Sequence, residues 1–382
     1  MSDAKRLKRE LLTLQNAVAE LSLDPLGGSV SAFRFRGELN PLSWDSAVHD
    51  GVEKVRPRPL GHFLCLDRWG PPSLEEEKNG MPYHGEAAQV AWAASDPDPA
   101  AAGPLVLEAA LPMAGLEVRR TESLSGEWDS SDCQTARLGA GFGFFQVRLL
   151  APKGTESAVA SFRDEVRNVN ALGRILNMVQ HPSIAPPFLT AETRVDCNGR
   201  RGFTQRERGC WEAVWEDGSV QFPVARTQAG EKDARCMTGG DDDVFSYEVK
   251  PEDPHGWVCA YTPSEGLLVG YVWPREDYPW VSLWCSGPAS SPRARGLEFG
   301  TTGLHQPFPI LSRHPRIFEL PTFQHLDAQE ASARSFCAFL RKVPQDFKGV
   351  HNVEVSGCTL EILEKDSQRR FSVTSEAELF QK

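Results

Sequence analysis

From Leu12 onward the chain alternates short apolar runs with turn-forming residues. Leu12, Leu14, Val18, Leu21 and Leu23, interrupted by Asp24-Pro25 and Gly27-Gly28, predict short strands around a turn, which Val30, Ala32, Phe33 and Phe35 continue. His62–Trp69 reads as a strand ending at Pro71-Pro72, and the acidic run Glu75–Lys78 as a solvated loop. Further strands are expected over Leu105–Leu111, Leu116–Ser123, Ala136–Leu150, Ala158–Val169, Thr190–Asp196, Trp211–Val214, Phe245–Val249, Trp257–Tyr261, Leu267–Trp273, Val281–Cys285, Ala333–Leu340 and Val353–Leu363, with Gly, Pro, Asp and Asn between them. Residues 95–105 have the composition of a surface loop. Many short strands separated by turn signals predict an all-β, antiparallel sandwich or barrel rather than βαβ units. With no long amphipathic helix, repeat or linker, the expected organisation is a flexible segment over 1–11, one β-sandwich domain over 12–376 and a C-terminal tail over 377–382.

Composition narrows the function. Sandwiches often exceed ordinary domain length, so 382 residues with 40% hydrophobic and 24% charged content fit one large core. A charge of −11, from 41 basic and 52 acidic residues, disfavours nucleic acid and anionic membrane as partners. The nine cysteines are scattered singly with no Cys-x-x-Cys, which is neither a disulfide framework nor a zinc site. The charged N-terminus is followed by no apolar signal region, and no run of about 18 apolar residues occurs later; the expectation is a cytoplasmic protein with reduced thiols. No Walker loop or nucleophile elbow occurs, and the glycines of 139–143 lack the following helix that phosphate binding needs. Asp241-Asp-Asp243 matches no EF-hand and reads as a solvated acidic turn. No metal and no cofactor are expected.

Three stretches carry candidate chemistry. In Asn177–Leu189, Pro182, Pro186 and Pro187 fix φ, remove donors and extend the residues before them, so His181 is expected in a stiff extended loop. A histidine held there can exchange a proton near neutral pH, or can be a buried structural residue. Met81–Trp92 and Arg295–Gly303 set His84 and Glu298 beside glycines, where the backbone turns sharply and a ligand approaches closely. His84 could instead cap a turn, and Glu298 could pair with Arg295 or Arg293. Trp92, Trp280 and Trp284 could stack on a sugar face or sit in the core.

The early His84-Gly85 segment closed by Trp92, the central His181-Pro182 segment and the late Glu298 occur in the order found in the aldose 1-epimerase (galactose mutarotase) family. The opening Leu21–Phe33 also resembles that family's first hairpin. The resemblance implies a single large β-sandwich that interconverts sugar anomers without a cofactor, with Glu298 as base, His181 as acid and His84 as auxiliary. It further implies substrate binding by Arg68 and a monosaccharide or related sugar as partner; Glu86, Gln180 and, of the three tryptophans, Trp284 are the other expected substrate-binding residues, and the expected state is a monomer or homodimer. Two positions depart from the family pattern: Arg68 stands in Leu-Asp-Arg-Trp rather than after Gly or Asn, and Glu298 is followed by Phe299-Gly300 rather than Pro. The rival readings are a non-catalytic carbohydrate-binding protein of the same fold, and a sugar-phosphate epimerase, which would need arginines such as Arg119-Arg120, Arg200-Arg201 or Arg293/Arg295 to converge on the pocket. A polysaccharide lyase with a related sandwich is disfavoured by the absence of a helical toroid domain.

Overall fold

The computed structural model describes residues 10–47, 56–95, 104–125, 156–205, 219–227, 229–240, 242–375 and 377–380. The strand candidates Ala136–Leu150 and Trp211–Val214, the glycines of 139–143, Asp241 and most of the 95–105 loop lie outside the described residues.

Among the described residues, two large antiparallel sheets face each other. The first has eleven strands; its middle runs, neighbour to neighbour, through His62–Asp67, Arg174–Ile184, Ala294–Gly300, Trp280–Ser286, Asp243–Val249 and Gly199–Gln205. The second has eight, with Leu267–Pro274, Ala331–Lys342, Ser157–Asn168 and Leu116–Leu124 at its centre. Leu116–Leu124 and Leu105–Leu111 show why the pattern was readable: alternate residues are buried between the sheets while the others face water. The core lies between the sheets. Phe299 stacks on Trp273 across it at 4.1 Å and 6°, and meets Phe336 at 5.3 Å.

The outer face of the second sheet is covered in turn. A three-stranded sheet of Val350–Ser356, Thr359–Glu364 and Arg370–Thr374 packs Leu360, Ile362 and Val373 against Val159, Leu268 and Phe339. Residues 377–380, set apart above as a tail, join this layer: Leu379 is buried, and Phe380 stacks on His255 at 5.3 Å. Two local expectations are corrected. Leu74–Lys78 is a short helix, because Ser73 and Glu76 form a reciprocal capping box that satisfies its first amides. His181 lies within the Arg174–Ile184 strand rather than in a loop; Pro182 is accommodated near its end, opposite His62. Among the described residues no helix is long and apolar enough to cross a membrane.

Candidate active site

Glu298 lies inside the Ala294–Gly300 strand, whose Leu297 and Phe299 point into the core, so its carboxylate emerges on the opposite, outer face of the first sheet. The register that pairs Gly296 with Ser183 and Phe299 with Gln180 sets Glu298 across from His181. On the far side of that strand His181 pairs with Phe63, and the two rings stack at 4.3 Å and 20°. Trp284, paired with Gly296, closes the other flank, its ring 5.8 Å from His181. Gly296 is required here because a β-carbon would run into both the Glu298 carboxylate and Trp284. These side chains floor a cavity of about 440 Å³, large enough for a sugar.

Loops supply the remaining wall. His84 adopts a left-handed backbone, φ 65°, and is held reciprocally by Gly70: its own amide donates to the Gly70 carbonyl at 3.0 Å, while the Gly70 amide donates to His84 Nδ1 at 3.1 Å. Gly85, at φ 79°, passes so close to the Leu66 carbonyl that a β-carbon would clash with it. His84 Nδ1 is thereby an acceptor, and the ring's proton sits on Nε2. His84 lies between two other imidazoles, with its centroid 5.4 Å from His181 and 5.5 Å from His305.

The chemistry centres on one contact. Glu298 Oε2 lies 3.4 Å from His181 Nε2 and accepts a hydrogen bond from Trp69 Nε1 at 2.7 Å. His181 Nδ1 meets Ser183 Oγ at 3.0 Å; that hydroxyl donates to the His181 carbonyl, so Nδ1 carries the ring proton and Nε2 is left to face the carboxyl. Burial pushes the Glu298 carboxyl up to about 8, against the opposing pull of the Trp69 N–H. Burial pulls His181 down to about 3 and His305 down to about 4, and holds His84 well below its ordinary range. Between these limits the two groups, 3.4 Å apart, hold one proton between them. Moving that proton from Oε2 to Nε2 creates a carboxylate base beside an imidazolium acid without exchange with solvent.

No protein-family model matches this chain, and no curated protein matches it. Solved structures do. A galactose mutarotase related enzyme from Lactobacillus acidophilus superposes with a TM-score of 0.56 at 12% identity, over 88% of this chain and 98% of that one. A candidate aldose 1-epimerase from Escherichia coli K12 gives 0.55 at 14%, over 88% and 100%, and a galactose mutarotase-like protein from Lactobacillus casei gives 0.54 at 10%, over 87% and 100%. The chain has the galactose mutarotase-like fold.

Within that mutarotase-like sandwich, His84, His181, Glu298 and Trp284 line one cavity. Arg68, Glu86 and Gln180 do not. Arg68 is buried between Asp67 and Glu76, at 2.6 and 2.7 Å, and fastens the short helix to the sheet. Glu86 accepts the amides of Met113 and Ala114, holding a turn. Gln180 neighbours His181 in sequence and so points to the other face of the strand. There it bonds His62, Arg120, Asp164 and Tyr278 between the sheets. Trp92 and Trp280 belong to the core, Trp92 donating to the Ala87 carbonyl. Arg295 faces away from Glu298 and caps the carbonyls of Ala234 and Cys236, which removes it as the carboxylate's partner. Of the arginines considered for a phosphate, Arg119 pairs with Glu108, Arg120 with Asp164, and Arg200 and Arg201 with Glu248.

Sequence reasoning passed over Trp69, Tyr83, His305, Asp242 and the pair Arg56 and Arg58, all of which border the cavity. Asp242, in the stretch read as a solvated turn, receives the Trp284 indole N–H at 3.1 Å from a left-handed backbone, φ 60°. The cue for His305 was available: it stands two residues beyond Gly303, the same setting that singled out His84 and Glu298.

Proposed function

We propose that this protein interconverts the anomers of an aldose by acid–base catalysis. The observation that carries the reading is the opposition of Glu298 and His181, a carboxyl and an imidazole 3.4 Å apart on the floor of a sugar-sized cavity. Glu298, as carboxylate, takes the proton of the anomeric hydroxyl while the C1–O5 electron pair moves to the ring oxygen, which is protonated by His181 Nε2. Rotation about C1–C2 in the open aldehyde exposes its other face. Reclosure reverses both transfers, O5–H returning its proton to His181 and O1 taking the proton from Glu298, so the pair ends as it began. The attacking and leaving oxygens share one carbon, which suits two groups 3.4 Å apart. His84 Nε2–H is placed as a fixed donor to a sugar oxygen. Such acid–base assistance is worth roughly 10²–10⁴-fold.

The sugar-phosphate alternative gains no support from the arginines at the cavity wall, since Arg58 is already held by Asp45 in a bidentate pair. Polarimetry on freshly dissolved α-anomers tests the main reading and separates it from a pure binder. An enzyme accelerates equilibration in proportion to protein added. A binder of the same fold gives saturable sugar binding by calorimetry and leaves the rate untouched.

A further inference from the structure

His305 lies half-buried at the cavity wall, and the anomeric chemistry above makes no use of it. Its ring packs edge-on against Trp69 at 4.7 Å and rests over Gly70, where even a β-carbon would approach to 3.0 Å. Its backbone amide is anchored by Gln205 Oε1 at 3.2 Å. The Tyr83 hydroxyl occupies Nε2 at 3.1 Å, and among the described residues nothing hydrogen-bonds Nδ1. The ring is thus fixed on its face, its edge and one nitrogen, with a single polar atom left for whatever fills the cavity. His84 separates it from the reacting pair, 5.5 Å from one imidazole and 5.4 Å from the other, so a sugar with C1 at Glu298 and His181 extends its remote carbons toward His305.

We infer that His305, immobilised by Tyr83, hydrogen-bonds a sugar hydroxyl remote from C1 and so determines which aldose epimer is accepted. This rests on the anomer-interconverting reading for the position of C1. Burial keeps the ring neutral at working pH, so Nδ1 offers a neutral hydrogen bond, which a hydroxyl can meet as donor or acceptor. A site built around a substrate hydroxyl rejects an epimer that misplaces it, because the buried polar atom is left unpaired.

The test is kcat and KM by polarimetry, and affinity by calorimetry, for D-glucose, D-galactose, D-mannose and the matching deoxy sugars. It compares wild type with His305→Ala, His305→Asn and Tyr83→Phe. The expected result is that His305→Ala narrows the discrimination between one epimeric pair by about tenfold, the loss falling on KM and affinity, while the sugar lacking that hydroxyl is affected equally little in both proteins. His305→Asn, with an amide near the Nδ1 position, restores part of the preference, and Tyr83→Phe erodes it in the same direction. A uniform fall in kcat across all sugars, or unchanged discrimination in a folded His305→Ala, overturns the inference. If wild type binds these sugars without accelerating mutarotation, the anomerisation reading fails alone and the affinity pattern still decides the role of His305. If it binds none of them, both fail.

Discussion

A carboxyl and an imidazole can exchange roles only while one proton is shared between them, and this fixes how the Glu298–His181 pair responds to pH. The one-proton state is bounded below by protonation of His181, at about 3, and above by loss of the proton from Glu298, at about 8. Above that limit the carboxylate remains a base, but His181 has no proton for the ring oxygen. The expected kcat/KM is therefore flat through neutrality and falls as pH rises past about 8, as read from initial mutarotation rates in overlapping buffers. A rate that climbs across that range would mean that an ionised Glu298 beside a neutral His181 is the working form. The residue types of this pair were legible from their settings beside proline and glycine, but their coupling was not: the partner suggested by sequence proximity was Arg295, which the strand's alternation turns to the opposite face.

At the scale of the element, Arg174–Ile184 shows why some of the site escaped the sequence. Its last nine residues are all buried, because the core covers one face and the cavity floor the other, so it lacks the alternation that marked Leu116–Leu124. With Pro182 inside it, the stretch reads as a loop. Adjacent residues then serve unrelated ends. His181 faces the cavity, while Gln180 ties together Arg120, Asp164, His62 and Tyr278, with Arg120 and Asp164 joined by two bonds of 2.6 and 2.7 Å. Gln180→Ala is expected to lower stability by about 1–3 kcal/mol through the buried groups it leaves unpaired, with sugar affinity unchanged. Denaturant melts alongside calorimetric titration check this, and weakened binding at full stability would return Gln180 to the substrate site. The short helix Leu74–Lys78 was hidden for a simpler reason: its acidic run outweighed the Ser73–Glu76 capping box beneath it.

Over the whole molecule, the sandwich was legible because short apolar runs are separated by turn residues, and strands such as Leu105–Leu111 and Leu116–Leu124 also expose one face. Strand boundaries over 105–111, 116–124, 157–168 and 331–342 fall within a few residues of those expected from the apolar runs and turn signals. What composition could not convey was which loops fold back over the outer face of the first sheet. Those loops bring Trp69, Tyr83, His84 and His305 to a floor that the strands had already laid. The architecture thus divides the work, with rigid strands fixing the reacting pair and loops supplying the surfaces that meet the rest of the sugar. The central claim is that Glu298 moves a proton, and one variant tests it most directly. Glu298→Gln keeps the size of the side chain and an acceptor for the Trp69 N–H but cannot exchange a proton. With melting temperature, sugar affinity and mutarotation rate measured on the same preparation, the account predicts a folded protein that binds sugar within a few-fold of wild type and loses roughly 10²–10⁴-fold in rate; a variant that retains the full rate would contradict it.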